Sequence, residues 1–474
     1  MRKLVLKGSL ALLCIAWFCS SAAAEEEPRK PNILYLLTDQ WRADALGYAG
    51  DPNVLTPNID KLAEQSVNFT HAVSGCPVCC PYRGSMMTGQ RVLTHGVFMN
   101  DVQLPAKAVT IAEVLADDGY DTAYVGKWHL DGRGRSAFIP RERRQGFDYW
   151  KVLECTHNYN NSAYWADEPV KLKWEGYDTI AQTRDAQQYL RKRSDNDKPF
   201  LFVLSWGTPH APYGTAPESY RRLYDPKTLK LRPNVPAEMQ ARARRDLAGY
   251  YAHCTAIDDM VGELLKTLKT SGMDRDTIVV FTSDHGDMLG SHNQYKKQRP
   301  YEESLRVPLL IRYPAGLGDK GQKLNALINT EDLMPTLLGL CGVKIPETVE
   351  GLDFSGHMRG GECPGDGTAV VTCPQPFGQF LRRNGGREYR GIRTLRYTYV
   401  RDLNGPWLLF DNEQDPYQMK NLCNQPEQAK LQACLDKQLK RKLKQQGDEF
   451  LPGDKYLKQW GYEVDANGTV PYER

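Results

Sequence analysis

The sequence predicts an α/β chain with a large sheet packed between helices, followed by a smaller α+β domain built on an antiparallel sheet. Short, nearly continuous apolar runs recur at Ile33–Leu37, Thr122–Val125, Phe200–Trp206, Thr277–Thr282 and Val307–Arg312. Runs of that length without polar alternation suit strands covered on both faces. Helical periodicity lies between them at Ile59–Gln65, Val109–Asp118 and Arg245–Thr270, and that alternation marks an α/β architecture. Polar residues then collect at the strand ends. Asp39 and Gln40 follow the first run, Lys127 and His129 the second, His210 the third, and Asp284 and His285 the fourth. Open α/β sheets bind ligands beyond the carboxyl ends of their strands, so a site is expected along one sheet edge.

The first 24 residues stand apart. Arg2, Lys3 and Lys7 precede an apolar run from Ser9 to Phe18, and Ala22, Ala23 and Ala24 follow. That order reads as an export signal. A membrane anchor is the alternative, although the run is short for a span. Cys14 follows Leu13 and Cys19 follows Phe18, where a lipoprotein signal wants a small residue, so no lipid anchor is expected. The expected location is periplasmic or extracellular, with no membrane span in the mature chain. The formal charge of +3 equals the three basic residues of this segment, leaving the remainder neutral. Global steering toward nucleic acid is then unsupported, and any attraction for an anionic substrate must be local. Clusters such as Arg141, Arg143 and Arg144, or Arg242, Arg244 and Arg245, read as solvated faces. With 474 residues, 41 % hydrophobic and 25 % charged, the composition is that of a globular protein. Its length suits two domains, here residues 25–365 and 366–474.

The later part has a different texture. Gly351–Gly367 is rich in glycine, Gly391–Val400 and Trp407–Phe410 look like strands of a hairpin or meander, and Gln425–Gln446 is a basic amphipathic helix. Of the 12 cysteines, ten lie beyond the export segment. An exported chain can form disulfides, and the sequence leaves the pairing open. Cys363 with Cys373 and Cys423 with Cys434 are near enough in sequence to be candidates.

Chemistry concentrates in a few segments. Cys79-Cys80-Pro81-Tyr82-Arg83 leads into Thr88-Gly89. On its own, Cys76-Pro77-Val78-Cys79 also reads as a thiol redox pair, half a zinc site or a strained disulfide. Gly119–His129 ends a strand on Gly126 and follows it with Lys127 and His129, which could clamp an anionic group. Pro31–Arg42 carries Asp39 and Gln40, Thr282–Asp287 carries Asp284 and His285, Trp206–Tyr213 carries His210, and Lys297 precedes Tyr301-Glu302-Glu303-Ser304. Lys296 is adjacent, so a one-residue slip would exchange the two lysines.

These segments, in this order, resemble the formylglycine-dependent type I sulfatases of the alkaline-phosphatase-like superfamily, above all their bacterial carbohydrate sulfatases. The resemblance runs from Pro31 to about Val343 and resumes at Leu409–Asp411 and Asp415–Leu422. It implies a large mixed sheet and the conversion of Cys79 to formylglycine by a formylglycine-generating or anaerobic sulfatase-maturating enzyme. It implies Ca²⁺, with Mg²⁺ as the alternative, on Asp39, Gln40, the modified Cys79, Asp284 and His285. Many relatives carry two acidic residues where Asp39 and Gln40 stand; an amide oxygen still suits a hard cation, whereas an imidazole at position 285 is a softer partner. In the implied scheme Arg83 orients the hydrated aldehyde, and Lys127, Lys297 and the metal meet the sulfuryl charge. His210 protonates the leaving alkoxide, and His129 takes the proton that lets sulfate go.

The implied substrate is a sulfated carbohydrate, either a glycan or a glycosaminoglycan fragment. The segment Cys155–Asn161 reads either as a sugar contact, with His157 and Asn158 as candidates, or as a surface loop with turn-forming asparagines. A phosphatase, phosphodiesterase or phosphonate hydrolase on the same scaffold is the rival enzyme. An inactive carbohydrate-binding protein and a thiol–disulfide protein are the rivals outside hydrolysis.

Overall fold

An eight-stranded sheet organises the computed structural model, which describes residues 30–193 and 198–471. The expected export segment lies outside those residues. In chain order the strands are β1 (Asn32–Asp39), β2 (Val67–Val73), β3 (Asp121–Lys127), β4 (Tyr149–Leu153), β5 (Phe200–Pro209), β6 (Thr277–Ser283), β7 (Leu309–Arg312) and β8 (Gln322–Asn329). Across the sheet they run β8-β2-β7-β6-β1-β5-β3-β4. Only β7 is antiparallel to its neighbours, so the sheet is mixed, as expected.

Burial explains the continuous apolar runs. Ile33, Tyr35 and Leu37 join the core on one face of β1, while Leu34 and Leu36 join the core on the other. Strand β5 divides in the same way, with Leu201 and Val203 on one side and Phe202, Leu204 and Trp206 on the opposite side. Helices α1 (Pro57–Ala63), α2 (Cys79–Thr88), α3 (Ile111–Asp117), α4 (Asp178–Arg193), α5 (Gln240–Thr270) and α6 (Leu333–Cys341) cover these faces. The first face carries α2, α3 and α6, and the second carries α1, α4 and α5. The central strands β6, β1, β5 and β3 are adjacent, so Asp284, Asp39, His210 and Lys127 emerge side by side at their carboxyl ends.

A second, four-stranded antiparallel sheet holds β9 (Thr368–Cys373), β10 (Tyr389–Thr394), β11 (Tyr397–Asp402) and β12 (Gly405–Asp411) in sequence order. The stretch Gly391–Val400, read as one strand, is two: the chain reverses at Leu395 and Arg396, where Thr394 Oγ1 accepts the Tyr397 N–H at 2.8 Å. One face of this sheet packs on Val73, Leu305 and Leu327 of the first body. The other is covered by the basic helix α7 (Ala429–Gln445) through Leu435, Leu439 and Leu443.

All ten described cysteines are free, which corrects both disulfide candidates. Cys373 is buried at the end of β9 whereas Cys363 is exposed in the preceding loop, and Cys423 is buried beneath α7 whereas Cys434 is exposed. Cys76 and Cys79 are likewise unbridged. Among the described residues no helix is long and apolar enough to cross a membrane.

Candidate active site

Helix α2 begins at Cys79, and all ten of its residues are buried. Its amino-terminal dipole favours negative charge at that position. Lys297 Nζ donates to Cys79 Sγ at 2.9 Å, and His285 Nε2 lies 3.3 Å from the same sulfur. Burial and the Asp39 carboxylate oppose ionisation of this thiol, but Lys127, Lys297 and His285 outweigh them and hold its pKa well below the ordinary value. Lys297 sits between two left-handed residues, Lys296 (φ +62°) and Gln298 (φ +74°). That local path turns Lys297, rather than Lys296, onto the sulfur.

Arg83, one turn along α2, ties the floor together. Its Nη2 donates to Asp39 Oδ2 and to Asp284 Oδ2, each at 3.2 Å, and its Nη1 donates to the Lys127 carbonyl at 2.8 Å and to Ser205 Oγ at 2.7 Å. Lys127 Nζ donates to Asp39 Oδ2 at 2.7 Å. Strand β3 can approach so closely because Gly126 adopts φ +107°, and a Cβ there would stand 2.0 Å from the Ser205 carbonyl oxygen. Burial penalises Asp39, yet Lys127 and the neighbouring cations hold its pKa well below the usual carboxylate range. Burial and the adjacent Asp39 push Asp284 up to about 7.

One ligating atom from each of Asp39, Cys79, Asp284 and His285 lies within 4.8 Å of the others. The geometry of each donor suits a cation. His285 Nδ1 donates to the Gly286 carbonyl at 2.9 Å, leaving the Nε2 lone pair toward the cluster. Gln40 Nε2 is held by Asp287 Oδ2 at 2.7 Å and by Tyr213 OH at 3.3 Å, while its buried Oε1 has no hydrogen-bond partner among the described residues. Two adjacent buried carboxylates and an orphaned amide oxygen fit a hard divalent ion.

On the leaving-group side, His210 Nδ1 donates to the Ala211 carbonyl at 2.7 Å and lies 3.5 Å from Tyr159 OH. Burial first, then Lys297, depresses its pKa well below the histidine range. His157 stacks on it with ring centroids 4.8 Å apart and planes 8° from parallel. Asn158 is not turned inward in that way. It is exposed, and its Oδ1 accepts the Asn160 N–H at 3.2 Å, closing a turn in the loop. His129 meets Asp101 rather than Cys79, with its Nε2 3.1 Å from Asp101 Oδ1. Burial favours the neutral ring of His129; Asp101 favours the charged one, and Cys80 does so only as a thiolate, a form that burial opposes by holding the Cys80 pKa up.

Residues 31–343 match the Sulfatase family, well over half of the chain. The chain belongs to the sulfatase family. Residues 290–446 also match the family described as N-sulphoglucosamine sulphohydrolase, C-terminal. This sulfatase is 48% identical to an ulvan-active sulfatase of Formosa agariphila, over 99% of this chain and 92% of the relative. It is 30% identical to an endo-4-O-sulfatase of Bacteroides thetaiotaomicron, over 88% of this chain and 92% of that one. A solved Bacteroides fragilis structure assigned as the sulfatase yidJ matches with a TM-score of 0.82 at 33% identity, covering 92% of this chain and 99% of that chain. The alkaline-phosphatase-like mixed fold and the sulfatase resemblance are both borne out.

Sequence reasoning missed several side chains that support the sulfatase site. Ser205 accepts from Arg83 and donates to the Lys127 carbonyl at 2.8 Å. Asp287 fixes Gln40 and accepts the Lys296 N–H at 3.0 Å; its place two residues after His285 was the one available signal. Asp101 and Arg135, which hold His129, carried no signal in the sequence.

Proposed function

We propose that this sulfatase removes sulfate from a sulfated carbohydrate, using a formylglycine made from Cys79 and a bound divalent cation. The observation that carries this reading is the convergence of Lys297 Nζ, at 2.9 Å, and His285 Nε2, at 3.3 Å, on Cys79 Sγ inside the carboxylate cluster. Asp39, Gln40, Asp284, His285 and the residue at 79 would hold the cation. The oxygen-rich set favours Ca²⁺, with Mg²⁺ the alternative. When bound, such a cation acidifies a neighbouring hydroxyl and draws charge from a sulfate oxygen. An aldehyde at position 79 supplies, as its hydrate, one hydroxyl to attack sulfur and a second whose proton loss frees sulfate.

The chain's own residues do the rest. Lys127 and Lys297 present two buried cations to the sulfate charge, in a water-poor site where such contacts act strongly. Arg83 fixes the carboxylates against which the nucleophile lies. His210 has Nδ1 committed to the Ala211 carbonyl, so Nε2 is the nitrogen that gives a proton to the departing alkoxide. Burial holds its proton affinity low, and a sulfate anion beside it raises it. His129 accepts a proton in the later, sulfate-releasing step.

The relative named ulvan-active sulfatase, similar along nearly the whole chain, supports a sulfated polysaccharide as substrate, with ulvan fragments the first to try. Export to the periplasm or beyond is supported by residues 1–24, and maturation by a formylglycine-generating or anaerobic sulfatase-maturating enzyme by the Cys79–Arg83 segment. Residues 25–365 and 366–474 are proposed as the catalytic and smaller domains. Peptide mass spectrometry over Cys76–Arg83, on protein produced with a maturation enzyme, is expected to find formylglycine at position 79 together with sulfate release from ulvan fragments. An unmodified thiol in a fully active preparation would overturn the reading.

A further inference from the structure

His129 stands beyond β3 with a left-handed backbone, φ +61°, and a ring buried in the protein. Its Nε2 lies 3.1 Å from Asp101 Oδ1. Arg135 clamps Asp101, donating from Nε to Oδ1 at 3.0 Å and from Nη2 to Oδ2 at 2.8 Å. The same segment is tied to helix α2. The Asp101 N–H donates to Cys80 Sγ at 3.3 Å, and Asn100 Oδ1 accepts the Cys80 N–H at 3.1 Å. Asp101 therefore bridges the residue next to Cys79 and the histidine beyond β3.

A carboxylate accepting two bonds from a guanidinium is ionised and has no proton to donate. The Asp101–His129 bond must then run from Nε2–H to Oδ1. His129 Nδ1 is buried and has no hydrogen-bond partner among the described residues. We infer that Asp101, held by Arg135, is the positioning residue of His129: it keeps a proton on Nε2, fixes the ring and reserves Nδ1 for the proton exchanged with the reacting centre. The other nitrogen of a working histidine is commonly fixed by such a partner, and for metal-ligating histidines loss of the partner typically costs about 10–100-fold. The inference rests on the proposed function, in which His129 acts after the leaving group has departed.

The test uses Asp101→Gly, because glycine accepts the left-handed backbone at this position (φ +64°) while removing the carboxylate, and Asp101→Asn as the conservative variant. The first readout needs no activity. Long-range ¹H–¹⁵N spectra of the unmodified protein, with His129→Ala to assign the signal, should show His129 protonated at Nε2 in the parent. In Asp101→Gly the proton should be shared between the two nitrogens. The second readout uses matured enzyme on an aryl sulfate. Asp101→Gly should keep KM within about 2-fold and retain a burst of one phenol per site, while steady-state kcat falls about 10–100-fold. Asp101→Asn should fall between it and the parent, and Asp101→Gly/His129→Ala should be no slower than His129→Ala alone. An unchanged Nε2 signal in Asp101→Gly, or a further loss in the double variant, would overturn the inference. A parent without sulfatase turnover would instead overturn the proposed function and leave the spectra to decide this point.

Discussion

On the floor of the site, Asp39, Arg83, Asp284 and His285 are fully buried; Arg83 pairs with both carboxylates, and His285 Nε2 lies 3.4 Å from Asp284 Oδ1. On the rim, His157 and Asn158 are exposed; the first stacks on His210 and the second closes its own loop. The floor is over-determined, since removing one side chain leaves a buried charge without its partner. The rim is under-determined and can change without disturbing the sheet. Chemistry is therefore expected to reside in the floor, and choice of sugar in the rim.

The largest effect separates the two regions outright. Cys79→Ala should reduce turnover by about 10⁴-fold or more on every sulfate ester while the circular-dichroism spectrum stays that of the folded parent. A variant with near-parental turnover would dissolve the distinction, because the floor would then not contain the nucleophile. Removing the cation comes next. Chelation should lower kcat by roughly 10²–10³-fold, an effect of several kcal/mol on transition-state charge, and added Ca²⁺ should restore it. The same treatment should leave aryl and sugar substrates equally impaired, since both meet the same floor. Unequal loss would put the cation at the rim.

Acid tests whether floor and rim share a foundation. His95 packs beneath the floor, where a Cβ on Gly84 of α2 would come within 2.7 Å of its ring. Its Nδ1 accepts the Val97 N–H at 3.0 Å. His253 lies beneath the rim, 2.5 Å from Tyr177 OH and edge-on to Tyr159. Burial holds their pKa values down to about 3 and about 4, whereas an unfolded histidine titrates near 6.5. Below that pH the unfolded chain binds more protons, so stability present above pH 6.5 drains as pH falls toward 4. Each histidine contributes a slope of about 1.4 kcal/mol per pH unit. His253→Gln should therefore lose about 2 kcal/mol less than the parent between pH 6.5 and pH 5 in denaturant titrations. Parallel curves for the two proteins would show that His253 titrates in the fold as it does in the unfolded chain.

The floor was legible in the sequence because its members end fully apolar strands or sit at fixed spacing from them. Asp39, Lys127 and Asp284 follow runs buried on both faces, and Arg83 lies one helical turn beyond Cys79. Their supports were not legible, because they meet only through packing. Ser205 is 122 residues from Arg83, and Asp101 is 28 from His129. The fold divides likewise. The central strands β1, β3, β5 and β6 read clearly, while β8 is half exposed at the sheet edge, with burial only over its last four residues, and showed no continuous apolar run. The disulfide candidates failed for the same reason, since closeness in sequence said nothing of which cysteine the second sheet would bury.

The smallest effect is the most discriminating. His157 covers one face of the His210 ring, and His210 matters in proportion to how badly the leaving alkoxide needs a proton. A sugar alkoxide is a poor leaving group, whereas an activated phenolate departs without help. His157→Ala should therefore lower kcat/KM about 10-fold on a sulfated sugar, yet remain within about 2-fold of the parent on 4-nitrophenyl sulfate. Asn158→Ala, whose side chain serves its own turn, should stay within about 2-fold on both. Equal losses on the two substrates in His157→Ala would mean that the stack holds up the floor itself, and the rim would then be part of the chemistry rather than a selector placed around it.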